Sequence, residues 1–167
     1  MWGLSRFEKT AERLREGRSP AAGLSLIAEQ DGKIVGTVRL WHVCAGAGRP
    51  ILLLGPLAVE ETSRGRGVGS ALMQRAIGVA GRRGHNALLL VGDAPYYQRF
   101  GFSAAKTGAL WLPGPFERQR LLGCELKAGS LDGARGLICA TGRSVRKPTF
   151  NTLVARPTHS AAARRAA

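Results

Sequence analysis

The segment that most constrains the fold runs from Ile51 to Gly92, where two strand patterns and a helix pattern surround a glycine-rich turn. The stretch ILLLGPLAV (51–59) is almost wholly apolar, as is typical of a central strand covered on both faces. Apolar residues then recur at helical spacing from Ser70 onward, and NALLLVG supplies a second apolar strand. Strand, turn, helix and strand in this order predict a βαβ unit, so two strands should run parallel.

Other strand signals point to antiparallel pairs. The β-rich runs Leu24 to Glu29 and Ile34 to Val43 flank Asp31-Gly32, which is a strong hairpin signal. A further strand is expected from about Leu121 to Leu126. The sequence therefore predicts an α/β (α+β) fold with a mixed, mostly antiparallel central sheet that contains the strand, Gly-rich loop, helix and strand unit.

Helix and tail signals set the domain boundaries. Short helices are predicted from Glu8 to Gly17 and from Ala94 to Phe100, the second closed by Gly101. After about Ala140 the chain loses periodicity and gains charge and small residues. We therefore expect one domain over residues 1–140 and a basic, poorly ordered tail over residues 141–167.

A proline interrupts the apolar run before the turn. Pro56 has no N–H to donate to a sheet ladder, so the pairing should break at Gly55-Pro56 in a bulge or a splaying of neighbouring strands. Such a break would leave backbone groups of residues 57–59 free to bind something else.

The turn itself, TSRGRGVGS, has the properties of an anion site. Gly65, Gly67 and Gly69 allow the main chain to approach a ligand closely and to point several amides at it. The N-terminus of the following helix adds a partial positive charge, which Arg64 and Arg66 reinforce. These features predict a binding site for phosphate groups.

The spacing of the turn separates three classes of phosphate-binding loop. An ATP-binding P-loop ends in Gly-Lys-Ser or Gly-Lys-Thr, whereas Gly69 is followed by Ser70 and Ala71. A dinucleotide fingerprint has GxGxxG and an acid about twenty residues on, whereas the pattern here is GxGxG and the region around Leu89 is apolar. What remains is Arg-x-x-Gly-x-Gly, from Arg64 to Gly69, between a broken strand and a helix.

With these residues the sequence resembles the GNAT superfamily of N-acetyltransferases, in particular a subgroup of small bacterial members. The family's acetyl-CoA signature is (Gln or Arg)-x-x-Gly-x-(Gly or Ala), and LGPLAVEETSRGRGVGSALM and LLLVGDAPYYQRFGF are similar as well. The resemblance covers roughly residues 8–135. It implies a GNAT-like acyl-CoA N-acyltransferase fold and acetyl-CoA as co-substrate, with no metal. It also implies transfer of an acetyl or related acyl group directly to a primary amine of a small molecule or peptide.

The resemblance further implies which residues bind the acyl donor. Backbone amides from Gly65 to Ser70 would hold the coenzyme A pyrophosphate, and freed groups of Leu57 and Val59 would pair with pantetheine. The Leu57 amide is the implied donor to the thioester carbonyl oxygen, where negative charge develops during transfer. The implied donor-binding set is Leu57, Ala58, Val59, Arg64, Gly65, Arg66, Gly67, Val68, Gly69 and Ser70.

The later motif YYQRFGF carries the implied general acid. Tyr97 lies four residues before Gly101, at the position of the family's acid, and a phenol with an ordinary pKa near 10 stays protonated at neutral pH. Tyr96 is predicted to be core or a wall of the acceptor site. Candidates for the base that deprotonates the amine stay open among Glu60, Glu61, Asp93, His42 and an ordered water.

The start of the chain departs from the family pattern. The family begins with a strand and a helix ahead of the helix matched to EKTAERLREG, so we expect that strand and most of that helix to be missing, with MWGLSRF as its stump. The sheet would then lack its first edge strand, and the acceptor site would lose part of its wall. A non-catalytic protein that binds or senses acyl-CoA is therefore an alternative function.

The formal net charge of +14 leaves a second alternative open. Such a charge favours polyanionic partners, so a basic RNA-associated protein is retained as the less favoured function. No long apolar run or secretory signal is found, which predicts a cytoplasmic protein without membrane contact. Cys44, Cys124 and Cys139 suggest neither a disulfide framework nor a zinc site. The acceptor and the oligomeric state, with a dimer as one option, stay open.

Overall fold

The computed structural model describes residues 6–145, with side chains from residue 10 onward, and this part of the chain contains three α-helices, three short 3-10 helices and seven strands. The 3-10 helices are Glu61–Ser63, Gln98–Phe100 and Arg118–Arg120. None of these helices is long and apolar enough to cross a membrane. The α-helices are α1 (Arg6–Arg13), α2 (Val68–Arg82) and α3 (Ala94–Tyr97). The strands are β1 (Ser25–Gln30), β2 (Lys33–Ala45), β3 (Pro50–Val59), β4 (Ala87–Val91), β5 (Leu110–Trp111), β6 (Leu121–Glu125) and β7 (Gly136–Ala140).

The strands form one mixed sheet in the order β5-β7-β2-β3-β4-β6, with β1 also paired to β2. The pairs β3-β4 and β5-β7 are parallel, and the other pairs are antiparallel. The predicted mixed, mostly antiparallel sheet with a βαβ unit is therefore confirmed.

The predicted hairpin joins β1 and β2. Gln30 pairs with Lys33, and the two residues between them, Asp31 and Gly32, have φ angles of 51° and 73°. Positive φ at both central residues is the geometry of the two-residue turn that matches strand twist, and Asp-Gly adopts it readily.

The long helix α2 covers one face of the sheet. Its buried residues are Leu72, Met73, Ala76 and Ala80, most of the predicted apolar stripe, and they share a core with Leu40, Leu52 and Leu88 of the strands. Gly36 of β2 faces the helix, and a Cβ there would lie 2.9 Å from side-chain atoms of both Leu72 and Val68. Glycine at this position therefore lets α2 approach the sheet closely.

The sequence does not predict β5 and β7. Strand β7 pairs with the end of β2, from Val43 to Ala45, and β5 pairs with β7. Both are short, and of the five residues of β7 only Ile138 is buried. A strand with one buried residue has no apolar alternation by which a sequence pattern could identify it.

Backbone hydrogen bonds attach the last described residues to the rest of the domain. Thr141 N–H donates to His42 O at 3.0 Å, and Val145 N–H donates to Gly17 O at 2.8 Å. Most of the predicted tail, residues 146–167, lies outside the described residues, as do residues 1–5 of the predicted helix stump. The domain boundary at residue 140 stays a prediction.

Candidate active site

Two neighbouring strands part in the middle of the sheet. β3 and β4 are ladder partners only at Leu52 with Leu88 and at Leu53 with Leu89. After these two pairs, the edge of β3 that faces β4 has no ladder partner within the described part of the chain. The gap between the two strands opens the sheet to a ligand.

A bulge in β3 lies where the strands part. Val38 and Leu40, two residues apart on β2, pair with Leu57 and Leu54, which are three residues apart on β3. β3 therefore carries one extra residue at Gly55-Pro56, as the missing proline N–H leads us to expect. The predicted break in pairing is confirmed.

Beyond the bulge, the backbone groups of β3 alternate between β2 and the gap. Glu60 N–H donates to Val35 O at 2.9 Å, which directs the hydrogen-bonding groups of Glu60 and Ala58 toward β2. Because these groups alternate along an antiparallel strand, those of Leu57 and Val59 point away from β2. The gap is therefore lined by N–H and C=O groups that the sheet does not use.

A cavity of about 410 Å³ lies where the glycine-rich turn meets α2. Gly65 and Gly67 have φ angles of 75° and 82°, and a Cβ added to either would meet no atom within 4 Å. The first helix residues have no intrahelical acceptor for their N–H groups, and the helix dipole is positive at this end. Within residues 10–145, no acidic side chain lines the cavity, so its open backbone and positive potential suit an anion such as a phosphate.

Most of the donor-binding residues implied by the sequence come together at these features. Leu57 lies in the larger cleft described below, whereas Ala58 and Arg66 line neither cavity. The implied residues that line the smaller cavity are Val59, Arg64, Gly65, Gly67, Val68, Gly69 and Ser70.

Three residues of this cavity were not implied as donor ligands: Ser63, which is buried, Tyr96 and Arg99. Tyr96 and Arg99 line it, and the Arg99 guanidinium lies 4.7 Å from the centre of the Tyr96 ring. A Cβ on Gly69 would come within 3.1 Å of the Tyr96 hydroxyl oxygen, so that hydroxyl lies at the start of α2. The three-residue spacing of Tyr96 and Arg99 on one helical turn is the signal that could have identified the pair.

A larger cleft of about 850 Å³ adjoins the smaller cavity, since Tyr96 lines both. It extends from the bulge of β3 to the end of α1 and to the start of β6. Trp41, which is buried in its wall, donates its Nε1–H to Gly55 O and so fixes the bulge. The charged residues of the cleft are Glu12, Arg15, Glu16, Arg39, Asp93 and Arg120.

Tyr97 is half-buried and lines the larger cleft. Burial raises the pKa of its phenol above the ordinary value, and Tyr96 and Asp93 act in the same direction, whereas Arg120 opposes them. The phenol therefore carries its proton at neutral pH.

Gly92, at the end of β4, is the residue on which the Tyr97 ring lies. A Cβ at Gly92 would stand 2.2 Å from Cε2 of Tyr97, a distance at which the ring has to move. Gly92 is buried and its N–H donates to Arg120 O at 2.9 Å, so the backbone cannot easily yield. Sequence reasoning did not single out this glycine.

The candidate bases suggested by the sequence differ in whether they line one of the two cavities. Asp93 lines the larger cleft, whereas Glu60, Glu61 and His42 line neither cavity. The His42 ring instead packs against the His85 ring, with centroids 5.6 Å apart. Glu12 and Glu16, which the sequence did not suggest, do line the cleft.

A mixed sheet that splits beside a bulge, with an anion-binding loop ahead of its main helix, defines the acyl-CoA N-acyltransferase class of fold. The family model of the acetyltransferase (GNAT) domain matches residues 21–104, half of the chain. The chain belongs to the GNAT family of acetyltransferases.

Individual relatives agree with this assignment. The chain is 30% identical over 118 residues to the uncharacterized N-acetyltransferase YjhQ of Escherichia coli, covering 69% of this chain and 65% of YjhQ. It is 29% identical over 138 residues to the uncharacterized N-acetyltransferase YhbS of the same species, covering 79% and 82%. The crystal structure of YhbS in complex with CoA aligns with a TM-score of 0.66, covering 79% of this chain and 73% of that one.

Proposed function

We propose that the protein transfers an acetyl group from acetyl-CoA directly to a primary amine. The observation that carries the proposal is the open glycine cradle at the start of α2, which adjoins a cleft containing unused strand backbone and a protonated tyrosine. The CoA complex of the structurally similar YhbS supports the same ligand for this chain.

The donor is bound mainly by backbone. Amides from Gly65 to Ser70 hold the pyrophosphate, and the Arg64 and Arg99 side chains add positive charge around it. The outward groups of Leu57 and Val59 bind the pantetheine as an added strand would. Acetyl-CoA supplies an activated thioester. The neutral amine attacks its carbonyl carbon, the C–N bond forms as the C–S bond breaks, and the proton lost by the amine passes to Asp93 or to water in the cleft.

Two groups in the larger cleft act on the reacting atoms. The Leu57 N–H donates to the thioester oxygen, where charge develops in the transition state. The Tyr97 hydroxyl donates its proton to the departing thiolate, which it can do because burial keeps the phenol neutral. The amine enters from the side of Glu12, Glu16 and Asp93, whose carboxylates favour a cationic acceptor.

The direct test is thiol release from acetyl-CoA in the presence of a panel of primary amines. We expect thiol to appear only with some of the amines, in step with an acetylated product detected by mass spectrometry. Saturable binding of acetyl-CoA with no thiol release by any amine would instead support the non-catalytic alternative. RNA binding that falls steeply with salt, without acetyl-CoA binding, would support the RNA-associated alternative.

Replacing Gly92 by alanine tests the position of the acid. The added Cβ overlaps the Tyr97 ring, so we expect kcat to fall about tenfold and the free energy of unfolding to fall by about 1–3 kcal/mol. Calorimetry should show an almost unchanged affinity for acetyl-CoA, because the smaller cavity is not involved. Steady-state kinetics and thermal unfolding measure the other two effects.

Gly81→Ala is the matched control for this change. Gly81 lies within α2, and a Cβ there would meet no atom within 4 Å. Alanine should stabilise the helix by about 0.5–1 kcal/mol and leave kcat unchanged. Equal kcat values for Gly92→Ala and wild type would contradict the assignment of Tyr97.

A further inference from the structure

The larger cleft contains two arginine nitrogens that the protein leaves without partners. Among the residues that the structure describes, only two buried side-chain nitrogen or oxygen atoms have no hydrogen-bond partner, Nε of Arg15 and Nε of Arg120. Both residues line the larger cleft, although they lie more than one hundred positions apart in sequence. Buried polar groups are nearly always paired in folded proteins. Both Nε atoms are shielded from the cleft, so a ligand can pair with them only when the guanidinium groups turn toward it.

Other arginines of the domain are used differently. Six of them donate from the guanidinium group to main-chain carbonyl oxygens: Arg13, Arg18, Arg49, Arg83, Arg99 and Arg118. Among the residues whose side chains are described, Arg15 and Arg120 find no such acceptor, yet their own backbones are hydrogen-bonded. Arg15 N–H donates to Glu12 O at 2.9 Å, and Arg120 N–H donates to Glu117 O at 3.0 Å.

The chemistry of the free atom indicates what would pair with it. The Nε–H and one Nη–H of a guanidinium form a fork that fits the two oxygens of a carboxylate. A charge-assisted bond of this kind is stronger than a neutral one, and it offsets the cost of a buried donor. Burial lowers the pKa of Arg15 while nearby Glu12 raises it, which is the behaviour of a guanidinium partly removed from water.

The charges around these arginines have both signs. Arg39 adds a third guanidinium to the cleft, and Glu12, Glu16 and Asp93 add three carboxylates. The three carboxylates would repel a dianionic phosphate. A ligand with one ammonium and one carboxylate group can instead pair its ammonium with the carboxylates and its carboxylate with the guanidinium groups.

We propose that the amine acceptor also carries a carboxylate, and that Arg15 and Arg120 bind this group. The acceptor class is then a free amino acid or a short peptide whose amino and carboxyl termini are both free. This inference rests on the proposed acetyl transfer to a primary amine in the same cleft. The two arginines are specificity-determining residues, because they bind a part of the acceptor that does not react.

Matched acceptors test the inference. Each common amino acid is compared with its own carboxamide, which keeps the amine and removes the negative charge. For the best acceptor we expect kcat/KM to be about 10- to 100-fold higher for the acid, mostly through KM. Dipeptides with free and amidated C-termini distinguish the peptide source from the free amino acid.

Three variants link the preference to the arginines. Arg15→Gln and Arg120→Gln should each reduce the acid-to-amide ratio about tenfold, and Arg15→Lys should restore part of it, since it keeps the charge without the fork. Arg75→Gln is the control, because Arg75 is exposed on α2 and lines neither cavity. Thermal unfolding confirms that each variant is folded.

The outcomes separate this inference from the proposed function. Equal use of acids and amides, or a ratio that neither glutamine variant alters, would overturn the inference while leaving acetyl transfer intact. If no amine releases thiol, the acceptor pairs are titrated calorimetrically into protein saturated with CoA. Binding of the acid but not of the amide, lost in Arg15→Gln, would still support the carboxylate site, and equal binding of both would refute it.

Discussion

Gly67→Glu should lower the affinity for acetyl-CoA by about 100-fold or more. Gly67 has a φ of 82° and stands immediately before α2, with open space where a side chain would begin. A glutamate there fills the cradle, places a negative charge where we expect the pyrophosphate, and removes charge-assisted hydrogen bonds worth about 1.5–3 kcal/mol each. Isothermal titration calorimetry of both proteins with acetyl-CoA measures the change.

The matched control is Gly84→Glu. Gly84 follows the other end of α2, is exposed, has a φ of 80°, and also has no atom within 4 Å of an added Cβ. The control shares the added charge and the cost of about 1–2 kcal/mol for a left-handed non-glycine residue. Its affinity for acetyl-CoA should equal that of wild type. Equal affinity of wild type and Gly67→Glu, or no binding by wild type, would refute the proposed donor site.

The centre of the fold could be predicted because local signals and packing agree there. The run from Ile51 to Leu54 is buried on both faces, and the buried residues between Leu72 and Ala80 form one helical stripe, so hydrophobic periodicity and observed burial agree there. The prediction of burial on both faces is wrong for residues 55–59, where the strand lines the gap in the sheet and Pro56 and Ala58 are exposed. The break at Gly55-Pro56 follows from the chemistry of proline alone. Strands β5 and β7 could not be predicted, because they depend on pairing with distant residues rather than on an apolar pattern of their own.

The candidate site likewise has one part that could be predicted from the sequence and one part that could not. The proposed donor half is built from one contiguous stretch and from glycines whose spacing is informative, so sequence reasoning named most of the residues that line the smaller cavity. The acceptor half joins Arg15, Trp41 and Arg120 across β2, β6 and the end of α1, and these residues become neighbours only in the folded chain. Gly92 shows why sequence reasoning stops there. Its role is to make room for the Tyr97 ring, and no local sequence motif indicates that contact.

Tyr97→Phe should lower kcat about 100-fold and change the affinity for acetyl-CoA by no more than about twofold. Phenylalanine keeps the ring that packs against Phe102, with centroids 6.2 Å apart, and removes only the hydroxyl. A positioned general acid contributes about 10²–10⁴-fold to rate, and other proton sources recover part of the loss. Steady-state kinetics and calorimetric binding of acetyl-CoA separate the two effects.

The pH dependence of the wild-type enzyme follows from the same residue. Burial raises the pKa of Tyr97 above its ordinary value near 10, so the midpoint of the fall in kcat caused by its deprotonation should lie above pH 10. Arg120 lowers the pKa of Tyr97, so Arg120→Gln should shift this fall to higher pH.

Tyr96→Phe distinguishes catalysis from donor binding. The Tyr96 hydroxyl lies at the start of α2, so its removal should act on the KM for acetyl-CoA more than on kcat, the reverse of the effect at Tyr97. A Tyr97→Phe variant with wild-type kcat, or one whose loss lies wholly in acetyl-CoA affinity, would show that Tyr97 only packs beneath the donor. The proton of the leaving thiol would then have to come from solvent in the cleft.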